Sequence, residues 1–178
     1  MTQAAGSPMV LVVVGTDHHP FDRVVGWADG WARDHPDIRV VVQFGTSRPP
    51  VVAEGFDVVP VEALKDLFAA ATVVVCHGGP GTIMGARSAG LVPLVVARRS
   101  DLGEHVDDHQ MRFVARMAAA GQVRAVDDRG TFDDLLDQAI EGGSGFRFDR
   151  GENESLARSV ARFGALVENL VEGRAKRP

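Results

Sequence analysis

Short runs of consecutive apolar residues alternate along this chain with stretches whose apolar positions recur at helical spacing. The first run, MVLVVVG from Met9 to Gly15, is rich in β-branched residues and ends in glycine, the pattern of a strand buried on both faces. It predicts a central parallel strand. After Pro20, the residues Phe21, Val24, Val25, Ala28 and Trp31 fall on one helical face, with Asp17 and Asp22 near its start, and predict the first crossover helix. Gly26 and Gly30 lower its intrinsic propensity. IRVVVQFG (38–45) predicts a second strand and FDVVPV (56–61) a short third.

The alternation continues with a helix over EALKDLFAAA (62–71), a strand over TVVVC (72–76) and a helix over PGTIMGARSA (80–89) that Gly90 stops. VPLVVA (92–97) predicts a strand, DDHQMRFVARMAAAG (107–121) a helix stopped by Gly121, and QVRAV (122–126) a last strand. TFDDLLDQAIEGG (131–143) predicts a helix opened by a Thr131 cap. Strands alternating with helices imply right-handed βαβ crossovers, hence an α/β fold with a doubly wound, Rossmann-like parallel sheet.

Residues 1–8 read as a flexible N-terminus, 9–141 as one ligand-binding α/β domain, and the glycine-rich, polar 142–155 as a linker. Beyond it, Leu156, Val160, Phe163, Val167 and Leu170 form one apolar stripe, so 156–173 predicts a C-terminal helix followed by a tail over 174–178. The helix would pack back on its own sheet or offer part of that stripe to another protein.

Composition narrows the function classes. The 178 residues are 45% hydrophobic and 24% charged, as in an ordinary soluble domain, and the net charge of −5 disfavours a nucleic-acid partner held by phosphate electrostatics. One cysteine, Cys76, allows no internal disulfide and no cysteine metal cluster, which suits the cytoplasm. The N-terminal apolar run is too short for a membrane span and lacks the basic flank of a signal peptide, so membrane association is expected only through a partner or a surface patch.

Chemistry concentrates at the predicted carboxyl ends of the strands, where open α/β sheets bind ligands. CHGGPGT, Cys76 to Thr82, leaves a strand and opens a helix. Pro80 in the first turn sacrifices no needed donor, and Gly78, Gly79 and Gly81 let amides approach a ligand. With the Thr82 hydroxyl, the helix N-terminus is suited to a phosphate, and His77 can add a hydrogen bond or a positive charge. Gly15 and Thr16 lie at a second strand end, Arg98 and Arg99 at a third.

Other chemistries fit less well. No GxGxxG follows the first strand, which counts against a dinucleotide dehydrogenase, although Arg98 and Arg99 keep an NADP-binding module open as an alternative. The cluster Glu104, His105, Asp107, Asp108 and His109 contains metal-ligand types, but neighbours on one segment rarely converge on one ion and no accompanying ligand set is evident. It reads as a polar loop in which Asp107 or Asp108 caps the next helix, and no metal is expected. No GxSxG elbow supports a serine hydrolase.

Taken in order, VVVGTDHHPFDRVV, VVQFG, HGGPGTIMGARSAGLVPLVVARR and GEHVDDHQMRFVARMAAAG resemble the C-terminal, donor-binding half of family 28 glycosyltransferases, over about Met9 to Val126. The pattern also resembles the short single-domain forms, including the small catalytic subunit of a dolichol-linked N-acetylglucosaminyltransferase and its bacterial exopolysaccharide counterparts. The resemblance implies one half of a GT-B enzyme and an inverting transfer from a nucleotide diphosphate sugar, usually a UDP-sugar, to a lipid-linked glycan acceptor. It implies no cofactor beyond that substrate. It assigns Gly15 and Thr16 to the loop facing the donor, His77, Gly79, Gly81 and Thr82 to the pyrophosphate turn, and His109 and Gln110 to hydroxyls of the donor sugar.

Relatives commonly carry a ribose-binding carboxylate where this chain has Gly85, so Glu104 or Asp101 would have to substitute from a neighbouring loop, or donor binding would be lost in a non-catalytic, partner-stabilising homologue. The resemblance also implies a membrane-anchored, acceptor-binding subunit that recruits the chain to the cytoplasmic face and supplies the base. His18 or His19 is a local alternative for that base.

Overall fold

The computed structural model describes residues 7–148; most of the expected N-terminal segment, the expected helix over 156–173 and the tail lie outside them. Six strands, β1 (Met9–Val13), β2 (Arg39–Gln43), β3 (Glu54–Phe56), β4 (Val73–His77), β5 (Leu94–Val96) and β6 (Arg124–Ala125), form one parallel sheet in the order β3-β2-β1-β4-β5-β6. Five α-helices join them: α1 (Asp22–Asp34), α2 (Val61–Ala70), α3 (Pro80–Ser88), α4 (His109–Ala119) and α5 (Arg129–Ile140). The doubly wound fold expected from the alternating pattern is the one observed. Among the described residues, no helix is long and apolar enough to cross a membrane.

The apolar strand runs are explained by helices on both faces. Val10, Val12 and Val14 face α1 and α5 and pack with Phe21, Trp31, Phe132 and Leu136; Met9, Leu11 and Val13 face α2, α3 and α4 with Phe68, Ile83 and Val114. Strand side chains alternate between faces, so a strand covered on both sides must be apolar at every position. Trp31 is buried, and its indole N–H donates to Asp137 Oδ1 at 2.8 Å, which satisfies its one polar atom. Sheet order reverses between β1 and β4, and in open α/β sheets ligands bind beyond the carboxyl ends of the strands at such a switch point.

Four local expectations are corrected. The third strand is Glu54–Phe56 rather than 56–61, because pairing ends where the Phe44 and Gly45 amides donate to the Phe56 and Asp57 carbonyls. Pro60, which has no N–H to donate, then leads directly into α2. Helix α5 is capped by Asp128, not Thr131: the Asp128 carboxylate accepts the Thr131 N–H at 2.8 Å and its hydroxyl at 3.0 Å. Helix α4 begins at His109; Asp107 accepts the His109 N–H at 2.9 Å, while Asp108 accepts the backbone and hydroxyl of Ser100. The start of the expected linker packs on the domain, with Phe146 buried and Val92 and Phe148 amides pairing across to Phe146 and Gly90 carbonyls.

Candidate functional site

Two neighbouring strand ends, those of β1 and β4, meet around one imidazole. Gly15 follows β1 with φ of +84°, and a Cβ there would lie 2.7 Å from His77 Nε2; a Cβ at Gly79 would lie 2.1 Å from His77 Cε1. Only glycine at both positions lets the ring sit between the two loops. His77 Nε2 lies 3.2 Å from the Thr82 hydroxyl, and its Nδ1 is buried with no hydrogen-bond partner among the described residues. Burial, and then the charge of Arg98, push the His77 pKa down to about 4. At neutral pH His77 therefore offers a hydrogen bond and not a positive charge, which narrows the role expected of it.

The turn after β4 presents fewer amides than its glycines promise. The Gly78 N–H donates to Gln110 Oε1 at 3.1 Å and is engaged. In α3 the first intrahelical bond runs from Ile83 N–H to the Gly79 carbonyl at 3.2 Å, and among the described residues no side chain caps the helix. Pro80 has no N–H, so Gly81 and Thr82 carry the unsatisfied donors of the first turn. Gly81 is exposed, with open space where a Cβ would stand. An anion is the natural ligand for this end.

From Gly81 and Thr82 a cleft of about 570 Å³ runs between α2 and α3, lined by Val61, Leu64, Phe68, Gly85 and Ser88 among others. A volume of this order suits a small organic ligand. A Cβ on Gly85 would lie 2.6 Å from Phe68 Cε2. The ring of Phe68 thus takes the space that a side chain at this position would need. Neither expected substitute reaches the cleft: Glu104 is buried and holds Arg23 through two 2.8 Å bonds and the Arg99 N–H at 3.0 Å, and Asp101 pairs with Arg99 at 2.6 Å.

Arg98, expected to bind nucleotide, is 1% exposed and acts on the loops instead. Its guanidinium donates to the carbonyls of Val14 at 2.8 Å, His19 at 2.7 Å and Glu104 at 3.0 Å, tying the β1–α1 loop to the β5–α4 loop. Gln110, expected to read the sugar, is also buried, and its Oε1 accepts from Gly78 and Arg98 amides. His109 and Thr16 are exposed at the same edge, as is His18, while His19 is half-buried against Asp17. The Asp17 carboxylate is held down to about 2, first by the His19 backbone N–H and also by the His19 ring and Arg98.

Gln43 was not singled out as a site residue, yet it organises this edge. Its amide accepts the Gly15 N–H at 3.0 Å and donates to the Gly15 and Asp57 carbonyls at 3.0 and 2.8 Å. The one polar residue closing an apolar strand run, in VVVQFG, was the available signal.

A family model for the glycosyltransferase family 28 C-terminal domain matches residues 9–138. Among solved structures, the calicheamicin glycosyltransferase CalG4 aligns with a TM-score of 0.62 and 17% identity, over 96% of this chain and 43% of that one. The spinosyn rhamnosyltransferase SpnG, complexed with thymidine diphosphate, gives 0.56 and 19%, over 92% and 45%. The solution structure of ALG13 gives 0.53 and 17%, over 85% of this chain and 94% of that one. The chain thus spans less than half the length of the first two, and at these identities the likeness is one of fold. A search of curated proteins found no match. The matched family model covers the whole sheet and the carboxyl end of every strand in it, and the chain belongs to the glycosyltransferase family 28 C-terminal domain family.

Proposed function

We propose that this chain is the donor-binding part of a glycosyltransferase, which takes a nucleotide diphosphate sugar at the carboxyl edge of its sheet. The observation that carries the reading is the uncapped α3 N-terminus, whose Gly81 and Thr82 line one end of a cleft of about 570 Å³. The diphosphate would take their amides and the Thr82 hydroxyl; the nucleoside would lie along the apolar wall of Val61, Leu64 and Phe68. Charge that develops on the leaving diphosphate is then met by preorganised dipoles at the positive end of a helix. The SpnG structure, with its thymidine diphosphate, and the family match support a diphosphate nucleotide as the ligand class.

The acceptor half belongs, in this reading, to a separate membrane-anchored subunit that presents a lipid-linked glycan, supplies the base and recruits this chain to the cytoplasmic face. A UDP-sugar is the donor first assigned from the resemblance. The likeness to ALG13 over 94% of that chain supports a stand-alone donor domain. A second reading, a partner-stabilising homologue without donor affinity, is favoured by one observation: Phe68 packs against Gly85 where relatives commonly carry a carboxylate.

Isothermal titration with UDP, TDP, GDP and their sugars separates the two. Saturable binding by one nucleotide, weakened about tenfold or more by Thr82→Val through loss of a hydrogen bond to a charged group, is the expected outcome. Unchanged affinity in Thr82→Val removes the anion site, and no binding with or without a partner favours the second reading.

A further inference from the structure

Five of the six histidines, His18, His19, His77, His105 and His109, gather at the carboxyl edge of the sheet. Along the sequence they fall on separate segments, and the HVDDH run lacks a second ligand set. The fold supplies one by bringing the β1–α1 loop against the β5–α4 loop: His105 Nε2 lies 3.9 Å from Asp17 Oδ2, and the His19 and His105 ring centroids are 5.9 Å apart. The His105 and His109 rings are 4.8 Å apart.

The rings of His19 and His109 are held in the same way. Asp17 Oδ1 accepts the His19 backbone N–H at 2.8 Å and its ring Nδ1–H at 2.6 Å. Asp107 Oδ1 accepts the His109 backbone N–H at 2.9 Å and also its ring Nδ1–H. An ionised carboxylate only accepts, so Nδ1 carries a proton and, in the neutral ring that binds a metal, Nε2 is the nitrogen with the lone pair. A carboxylate on the far ring nitrogen is the usual support of a metal-bound imidazole. His105 stands between the two, with Asp107 3.8 Å from Nδ1 and Asp17 3.9 Å from Nε2. Its Nδ1 accepts the Asp107 backbone N–H at 3.4 Å, so an ion displaces that bond at Nδ1 or takes Nε2 on the Asp17 side.

We propose that His19, His105 and His109 bind one divalent transition-metal ion of the zinc type, with Asp17 and Asp107 orienting the rings. Imidazole donors select zinc, cobalt or nickel over magnesium and calcium. Two imidazoles on one tetrahedral ion place their ring centroids roughly 5 to 6 Å apart, near the 5.9 Å of His19 with His105 and the 4.8 Å of His105 with His109. His105, Asp107 and His109 already bring one ligand atom each within 4.8 Å of one another, as do Asp17, His18 and His19. Bringing His19, His105 and His109 together on one ion takes rotation of their rings, since His19 and the His105–His109 pair fall in separate groups. The α4 N-terminus and Arg98 oppose a cation, and the two carboxylates offset them. Three histidines leave a fourth position open on the strand edge that carries the anion site.

Cobalt titration of the full, tag-free, chelator-treated chain tests this. The expected result is visible absorption that saturates at one ion per chain, is displaced by zinc and is untouched by excess magnesium. His105→Gln and the pair His19→Gln with His109→Gln should each weaken binding about tenfold or more, with the metal-free melting temperature checked first. No saturable binding, or equal binding in the variants, overturns the proposal. Imidazole proton spectra of the unaltered chain on zinc addition give a readout that needs no variant. His19, His105 and His109 should shift while His35, on the far edge, stays; a shift confined to other histidines overturns the site.

Discussion

His77 shows how a single residue's environment sets both its chemistry and its effect on stability. Enclosed by Gly15 and Gly79 and close to the charge of Arg98, it stays neutral down to about pH 4, against an ordinary value of 6.5. Between those values the unfolded chain takes up a proton that the folded chain refuses, so stability falls as pH falls through this window. The loss for this one group is about 3 kcal/mol when complete. His77→Gln should flatten the dependence of the denaturation midpoint on pH between about 6.5 and 4, and an equally steep profile in the variant would mean that other groups cause it. The imidazole at the strand end was legible in the sequence as part of HGGPGT; its neutrality was not, because it comes from a loop 62 residues away and from a buried arginine. The loop-tying contacts of Arg98 are hidden from the sequence for the same reason. Two adjacent arginines after a strand suggest anion contacts, and only the folded loops reveal three carbonyls converging on one of them.

At the scale of elements, period and apolarity were sufficient to place the five described α-helices and five of the six described strands within a few residues. Two-sided burial leaves an unbroken apolar run that survives any detail of packing. The short edge strand failed this test because Glu54–Phe56 is exposed along its whole length and carries no such run. The contact between α2 and α3 was equally hidden. Inside a helix Gly→Ala ordinarily stabilises by about 1 kcal/mol, but at Gly85 the added methyl meets the Phe68 ring at 2.6 Å. Overpacking of this kind costs about 1–3 kcal/mol, so Gly85→Ala should be net destabilising in urea unfolding. In a Phe68→Leu background the same change should become neutral or stabilising, and additive effects would separate the two residues. The coupling matters for the site, since a carboxylate can be introduced at position 85 only if Phe68 gives way.

On the scale of the whole molecule, an acidic chain is asked to bind a polyanion. The net charge is −5, and Lys65, the one cation lining the cleft among the described residues, is paired with Glu62 at 2.9 Å. Attraction for a diphosphate must then come from the α3 dipole and the Gly81 and Thr82 amides, with Arg98 buried behind the loops. Such short-range donors are little affected by ionic strength, whereas the repulsion from the chain's net charge is screened beyond about 10 Å at 0.1 M salt. Raising salt from about 50 to about 300 mM should therefore leave nucleoside diphosphate affinity within about twofold, or tighten it slightly. A site built on exposed lysines and arginines would weaken steeply over the same range. Titration of one nucleotide at three salt concentrations distinguishes them, and a steep loss would move the phosphates away from the α3 N-terminus towards an exposed cation such as Arg99.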